Sequence, residues 1–179
     1  MKMKHICYVI ILFSISFASK ITDSCNNRIS ELFPNLISSN HSIYEIDKKD
    51  KKNIQNIVKQ KFFRNEVNLW RIIDKDSLKY FSILDNVIGK TMPISFLATY
   101  NHNGEVHDVS IIKYREPYGG EIKSKSWLRQ FTAYTDSSNY KVGDSIEGIS
   151  GATLSVNSVS KGMHKLSHLI HEIIKESNE

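Results

Sequence analysis

The chain is poor in cysteine and has no long hydrophobic run. It holds two cysteines, Cys7 and Cys25, among 179 residues. Cys7 lies in the N-terminal apolar stretch, so removing that stretch leaves Cys25 alone and excludes an internal disulfide. The same count excludes a cysteine-built metal site. The apolar stretch itself, "ICYVIILFSISF", runs to twelve residues, whereas a membrane-crossing helix needs about 20. "GISGATLSVNSVSKGM", residues 148–163, lacks the lysine of a P-loop, and no G-x-S-x-G marks a hydrolase nucleophile there. Internal repeats and low-complexity segments are also absent.

What remains is an ordinary globular balance, with 40% apolar, 10% aromatic and 24% charged residues, enough to build a packed core. The net charge is +5, but lysines alternate with acids, as in "DKKDKKNIQNIVKQK". That pattern reads as a solvated helix face, and nucleic acid is not expected as a partner. At the N-terminus, "MKMKH" is a short basic segment, followed by the apolar stretch and a small-x-small exit, "SFA". Residues 1–18 are therefore expected to be a signal peptide cleaved near Ala18, with an uncleaved N-terminal anchor as the alternative. Cys7 has no lipobox before it. Loss of residues 1–18 takes Lys2 and Lys4 away and lowers the net charge to +3. An exported domain without a disulfide must rely on its core or on a tightly held ligand.

The periodicity predicts one α+β domain over residues 25–179. "ISELFPN" (29–35) reads as one or two helical turns stopped by Pro34. Ile54, Ile57, Val58 and Phe62 then recur at helical spacing. "VNLWRIID" and "LKYFSILDNVIG" read as strands joined by the turn "KDS". "ISFLATY" and "VHDVSIIKY" flank "NHNGE", a hairpin signal in which Asn103 and Gly104 suit positive φ. An antiparallel sheet of about four strands follows. "SKSWLRQF" predicts a short helix capped by Ser124 or Ser126, and "TAYTDSSNYKVGD" a loop. A long C-terminal helix is expected from about Leu154 to Glu176. Val156, Val159, Met163, Leu166, Ile170 and Ile173 form the apolar stripe that lays it on the sheet.

The glycine-rich stretch enters this last helix. A helix start offers unpaired N–H groups and the positive end of a dipole, and small residues before it let an anion approach. The plainer alternative is that Ser150, Thr153 or Ser155 caps the helix.

"SGATLS", residues 150–155, resembles the flavinylation motif S-G-A-T-x-[ST] of the FMN-binding domain family. That family includes the covalent-FMN subunits of sodium-pumping quinone reductase and Rnf complexes, and the flavin domain of nitrous-oxide-respiration regulators. The resemblance implies FMN held on Thr153 through a phosphoester, with Ser150, Gly151, Ala152 and Ser155 as motif neighbours. It also implies a dedicated flavin transferase that uses FAD as donor together with Mg²⁺. "YREPYGGEI" (114–122) resembles the family's glutamate-glycine loop. Glu116, Gly119, Gly120 and Ile122 hold comparable places in that loop, and Trp127 and Phe131 follow in family order. With Tyr118 as a stacking candidate, Glu116, Gly119 and Gly120 are the expected flavin-binding residues here. "ELFPN" is similar to the family's N-terminal turn. The chain departs from the pattern at Glu147, where an aspartate is usual, and at Val156, where a further hydroxyl residue is usual.

Outside the resemblance, alternatives stay open. Glu116 could order a ligand or stabilise a turn. Trp127 and Tyr118 could stack on a ring, and Phe131 reads as core. His164, His168 and His171 share one side of the last helix away from the apolar stripe; they read as solvated, with a two-histidine metal site as the alternative. No metal is therefore assigned.

The N-terminal signal pattern together with the resemblance leads to the expectation of an exported flavoprotein module, periplasmic or on the outer face of the cytoplasmic membrane. It would relay electrons to or from a membrane or soluble redox partner rather than act as a self-sufficient oxidoreductase. No side chain marks a catalytic acid, base or nucleophile. The rival is a non-catalytic exported binding domain with non-covalent or lost flavin.

Overall fold

The computed structural model of the chain describes residues 20–75, 77 and 79–178. The expected signal peptide, residues 1–18, lies outside the described residues. The chain divides into two compact units, Met1–Pro34 and Asn35–Glu179.

In the first unit, residues 20–32 form helix α1. Cys25, Ile29 and Phe33 recur at a spacing of four and are buried, so they share one face. Burial pushes the Cys25 thiol up to about 12, which leaves it protonated and unreactive.

The second unit is a five-stranded antiparallel sheet in simple sequential order, β1-β2-β3-β4-β5. Its strands are β1 (Leu36–Glu45), β2 (Glu66–Asp74), β3 (Lys79–Ile88), β4 (Pro93–Asn101) and β5 (Val106–Lys113). The last four coincide with the strands expected from the sequence. The first, "LISSNHSIYE", is an addition. It is an edge strand with three serines among its ten residues, paired in the sheet with β2 from Leu36↔Asp74 to Glu45↔Glu66. With one side unpaired it buries little, so its sequence carries no apolar alternation.

Helix α2 (Lys48–Val58) starts at Asp47, whose carboxylate accepts from the amides of Lys49 and Asp50. That satisfies two of the N–H groups that have no partner inside the helix. The helix stops at Lys59, which takes a left-handed conformation. Phe62 therefore lies beyond the helix but is still buried. The β4–β5 turn is organised by Asn101, whose side-chain oxygen accepts from the amides of Asn103 and Glu105. Only Gly104 takes positive φ there, not Asn103. The short helix α3 (Lys125–Leu128) is capped by Ser124, which accepts from the Trp127 amide.

Helix α4 (Thr153–Asn178) crosses β3 and β4, and α2 packs against it. Val156, Val159, Met163, Leu166, Leu169, Ile170 and Ile173 are fully buried. At about 1.5–3 kcal/mol for each buried side chain, this stripe dominates the attachment of α4. Gly162 lets the helix come close, since a Cβ there would lie 2.9 Å from Phe96 and Val87 atoms. A buried ion pair interrupts the apolar layer. Lys165 Nζ lies 2.8 Å from Asp85 Oδ2, with both side chains at 5% exposure or less. The ammonium also donates to the Lys61 carbonyl and sits 4.6 Å above the Phe62 ring.

Candidate functional site

The sheet and α4 deliver three loops to one end of the unit: the β3–β4 turn, the segment after β5, and the stretch entering α4. Together they line a cavity of about 780 Å³, within the size range of cofactor sites. Its wall is made by Lys90 and Thr91 from the first loop, Glu116, Pro117, Tyr118, Gly119 and Glu121 from the second, and residues 150–155 from the third. Eight of the nine residues singled out in the sequence meet here: Glu116, Tyr118, Gly119, Ser150, Gly151, Ala152, Thr153 and Ser155. Gly120 begins the 3-10 turn Gly120–Lys123 and is not on the wall.

The entry to α4 explains the bare sequence. The Val156 amide donates to the Ala152 carbonyl at 2.9 Å, the first bond of the helix. Ala152 is therefore the residue at the cap position, and it has no side-chain oxygen to offer. None of the three hydroxyl residues considered as caps occupies that position. Among the described residues, no protein acceptor meets the amides of Thr153, Leu154 or Ser155. Thr153 is exposed, whereas Ala152 and Ser155 on either side are buried. The result is an accessible hydroxyl beside free N–H donors at the positive end of a helix.

Close contact with the second loop holds this entry in place. A Cβ on Gly119 would lie 2.5 Å from the Ala152 Cβ, and Gly119 has φ +78°. Both facts require glycine at this position. Trp127 and Gln130 secure the chain just upstream. The Trp127 indole N–H donates to the Glu147 carbonyl at 2.8 Å, and the Glu147 amide donates to Gln130 Oε1 at 2.6 Å. Glu147 is thus held by its backbone while its side chain is exposed. Trp127 and Phe131 are buried and belong to the core. Tyr118 is 79% exposed on the cavity wall.

Glu116 is a clasp between loops. Its Oε1 accepts from the Thr91 amide at 2.7 Å and the Met92 amide at 2.9 Å, and its Oε2 from the Thr91 hydroxyl at 3.1 Å. Those backbone donors hold its carboxyl below the usual glutamate range. It stabilises a turn, as one of the two sequence readings expects, but the turn is that between β3 and β4. Gly89, at the root of that turn, lies directly under Glu116 Oε1 and Ser155 Oγ.

Sequence reasoning passed over Lys90, Thr91, Pro117, Glu121 and Leu154, which also line the cavity. For two of them a signal was present: "GKT" at 89–91 places a glycine, a cation and a hydroxyl between two strands.

Residues 89–167 match the family model of the FMN-binding domain. This stretch belongs to the FMN-binding domain family. Every residue on the cavity wall falls inside the FMN-binding domain match, whereas β1, β2 and β3 precede it. No match to a curated protein was found.

The donor set fits FMN. The free amides and the helix dipole at Thr153 suit a phosphate, and Lys90 adds a cation at the rim. Tyr118 offers an exposed aromatic surface, and the cavity is of cofactor size. The FMN-binding domain thus serves as a flavin-binding module. When bound, FMN supplies redox chemistry, and the protein supplies binding, orientation and exclusion of water.

Proposed function

We propose that this protein is an exported electron-relay module that carries FMN covalently on Thr153. The observation that carries the reading is the exposed Thr153 hydroxyl at an uncapped helix start on the cavity wall. Thr153 Oγ1 forms a phosphoester with the flavin phosphate, losing its proton, and the displaced half of the FAD donor leaves as AMP. An unaided threonine hydroxyl is a weak nucleophile, so a flavin transferase performs the attachment. The free amides of Thr153, Leu154 and Ser155 then hold the phosphate, and Glu116 keeps the β3–β4 turn against it.

Export is supported by the basic, apolar and small-residue order of residues 1–18. A covalent tether suits that location, since a diffusible cofactor would be lost by dilution. The Thr91 hydroxyl on the wall meets the Glu116 carboxylate at 3.1 Å, but that carboxylate is occupied as a clasp by the Thr91 and Met92 amides, which favours electron transfer to and from a redox partner over chemistry on a bound substrate.

Co-expression with a flavin transferase, followed by intact-mass measurement of denatured protein, tests the reading. The wild type should gain the mass of one FMN phosphoester, and Thr153→Ala should gain none while keeping its fold. A wild type without the adduct, beside a control domain that is flavinylated, overturns covalent attachment. If that colourless protein also fails to take up free FMN, the binding-domain rival replaces the electron relay.

A further inference from the structure

His164, His168 and His171 lie on α4 on the side away from its apolar stripe, and the cavity does not include them. They are not simply solvated. The His164 ring stacks on Tyr140 at 4.7 Å between centroids and 14° between planes, which fixes its orientation. Its Nε2 lies 3.1 Å from the Asp136 carbonyl oxygen and 3.2 Å from Nε2 of His168, four residues on. The other ring nitrogen of His168, Nδ1, faces Asp136 Oδ2 at 3.7 Å. His171 Nε2 faces the second carboxylate oxygen, Oδ1, at 3.4 Å.

We infer that His164 and His168 form a binding site for a divalent transition-metal ion such as Zn²⁺ or Ni²⁺, with Asp136 as the residue that orients His168. Two imidazole nitrogens at 3.2 Å, each at the usual metal distance of about 2.0–2.1 Å, subtend an angle of roughly 100° at the ion. That lies between the neighbouring-ligand angles of octahedral and tetrahedral coordination, so the spacing of the pair suits either. A metal-bound histidine characteristically gives its other N–H to a carboxylate, and Asp136 stands on that side of His168. Two imidazoles favour zinc, nickel and copper over magnesium or calcium, which prefer oxygen.

Among the described residues, no group of three or more histidine, cysteine, aspartate and glutamate side chains converges to hold a metal. The ion is therefore held by two protein ligands, and water completes its coordination. Such a site is open, and both of its protein ligands come from the middle of α4. The contact that must be given up is that of His164 Nε2 with the Asp136 carbonyl. This sets a two-ligand site apart from a closed structural one.

Titration of tag-free full-length protein with NiCl₂ and ZnCl₂, by calorimetry and by shift of the melting temperature, tests the inference. One ion should bind per chain and raise the melting temperature. His168→Gln should weaken binding about tenfold or more, and Asp136→Asn about tenfold through loss of orientation. His171→Gln should leave the affinity unchanged. Bound Cu²⁺ should show two nitrogen ligands by electron paramagnetic resonance, reduced to one in His168→Gln. His164 is the one stacked on Tyr140 and held at the Asp136 carbonyl, so the His168 variant is the one that reports if His164→Gln fails to fold. No saturable binding by the wild type, or equal binding by His168→Gln, overturns the site and leaves a hydrogen bond between two neutral imidazoles.

Discussion

From Val156 to Ile173 helix α4 is held by seven fully buried apolar side chains, while at Thr153 and Leu154 the same helix is exposed and has no cap. A cap is worth about 1 kcal/mol. The stripe contributes several times that, even after the entropy of ordering it. The first turn of α4 thus remains helical without its own hydrogen-bonding partners, and its amides stay free for an anion. Stability is concentrated in one stretch, which leaves the adjoining stretch open to chemistry.

The harshest way to break this division is to attack the buried stretch at its ion pair. Asp85→Ala leaves the Lys165 ammonium in the core without its carboxylate. The expected cost is about 3–5 kcal/mol, read as a lower urea midpoint. The double variant Asp85→Leu/Lys165→Met should recover most of that loss, because no buried charge remains.

Gly119→Ala acts on the contact between the two stretches and should cost less. Left-handed backbone disfavours a side chain by about 1–2 kcal/mol, and the new Cβ would lie 2.5 Å from that of Ala152. The loop must move away from the entry to α4. Flavin content after co-expression should therefore fall by more than the melting temperature alone would explain. Equal flavin content in the variant would show that Gly119 and Ala152 need not touch.

Ala152→Ser reverses the usual logic of mutation. A serine at the cap position offers an oxygen to the amides of Leu154 and Ser155, and helix stability should rise by up to about 1 kcal/mol. The same oxygen competes with an incoming phosphate. The variant should melt higher and bind free FMN more weakly by fluorescence titration. A gain in both quantities would mean that those amides do not hold the phosphate.

These contrasts were unequally legible in the sequence. The apolar stripe of α4 could be read directly, because burial against a sheet demands a regular period, and Leu169 alone was added to it. The four strands from β2 to β5 were legible for the same reason. Strand β1 was not, since an edge strand buries too little to impose a pattern. At the cavity, the motif pointed to residues 150–155 and the second loop to Glu116 and Gly119. Lys90 and Thr91 escaped although "GKT" marked their turn, because that signal does not say that the turn lines a cavity. The partner of Glu116 escaped for a related reason, since Thr91 and Met92 engage it through backbone amides that carry no sequence signature.

The mildest test concerns that clasp. Backbone N–H groups favour the ionised form of Glu116, so its folded value lies below the ordinary one. A depressed carboxyl stabilises the fold above its unfolded value, about 4.3, and this contribution is lost as pH falls through the lowered folded value. Glu116 is solvent-accessible and screened, so neutral-pH stability should change little in Glu116→Gln. The difference should appear in acid. In the wild type, protection of the Thr91 and Met92 amides from hydrogen exchange, corrected for intrinsic rates, should weaken as pH drops from 6 toward 3. In Glu116→Gln the neutral side-chain carbonyl still accepts from those amides, and their protection should stay flat across the same interval. A wild-type profile as flat as the variant's would mean that the β3–β4 turn holds its place beside Ser155 without the clasp. The cavity rim would then owe its shape to packing at Gly89 instead.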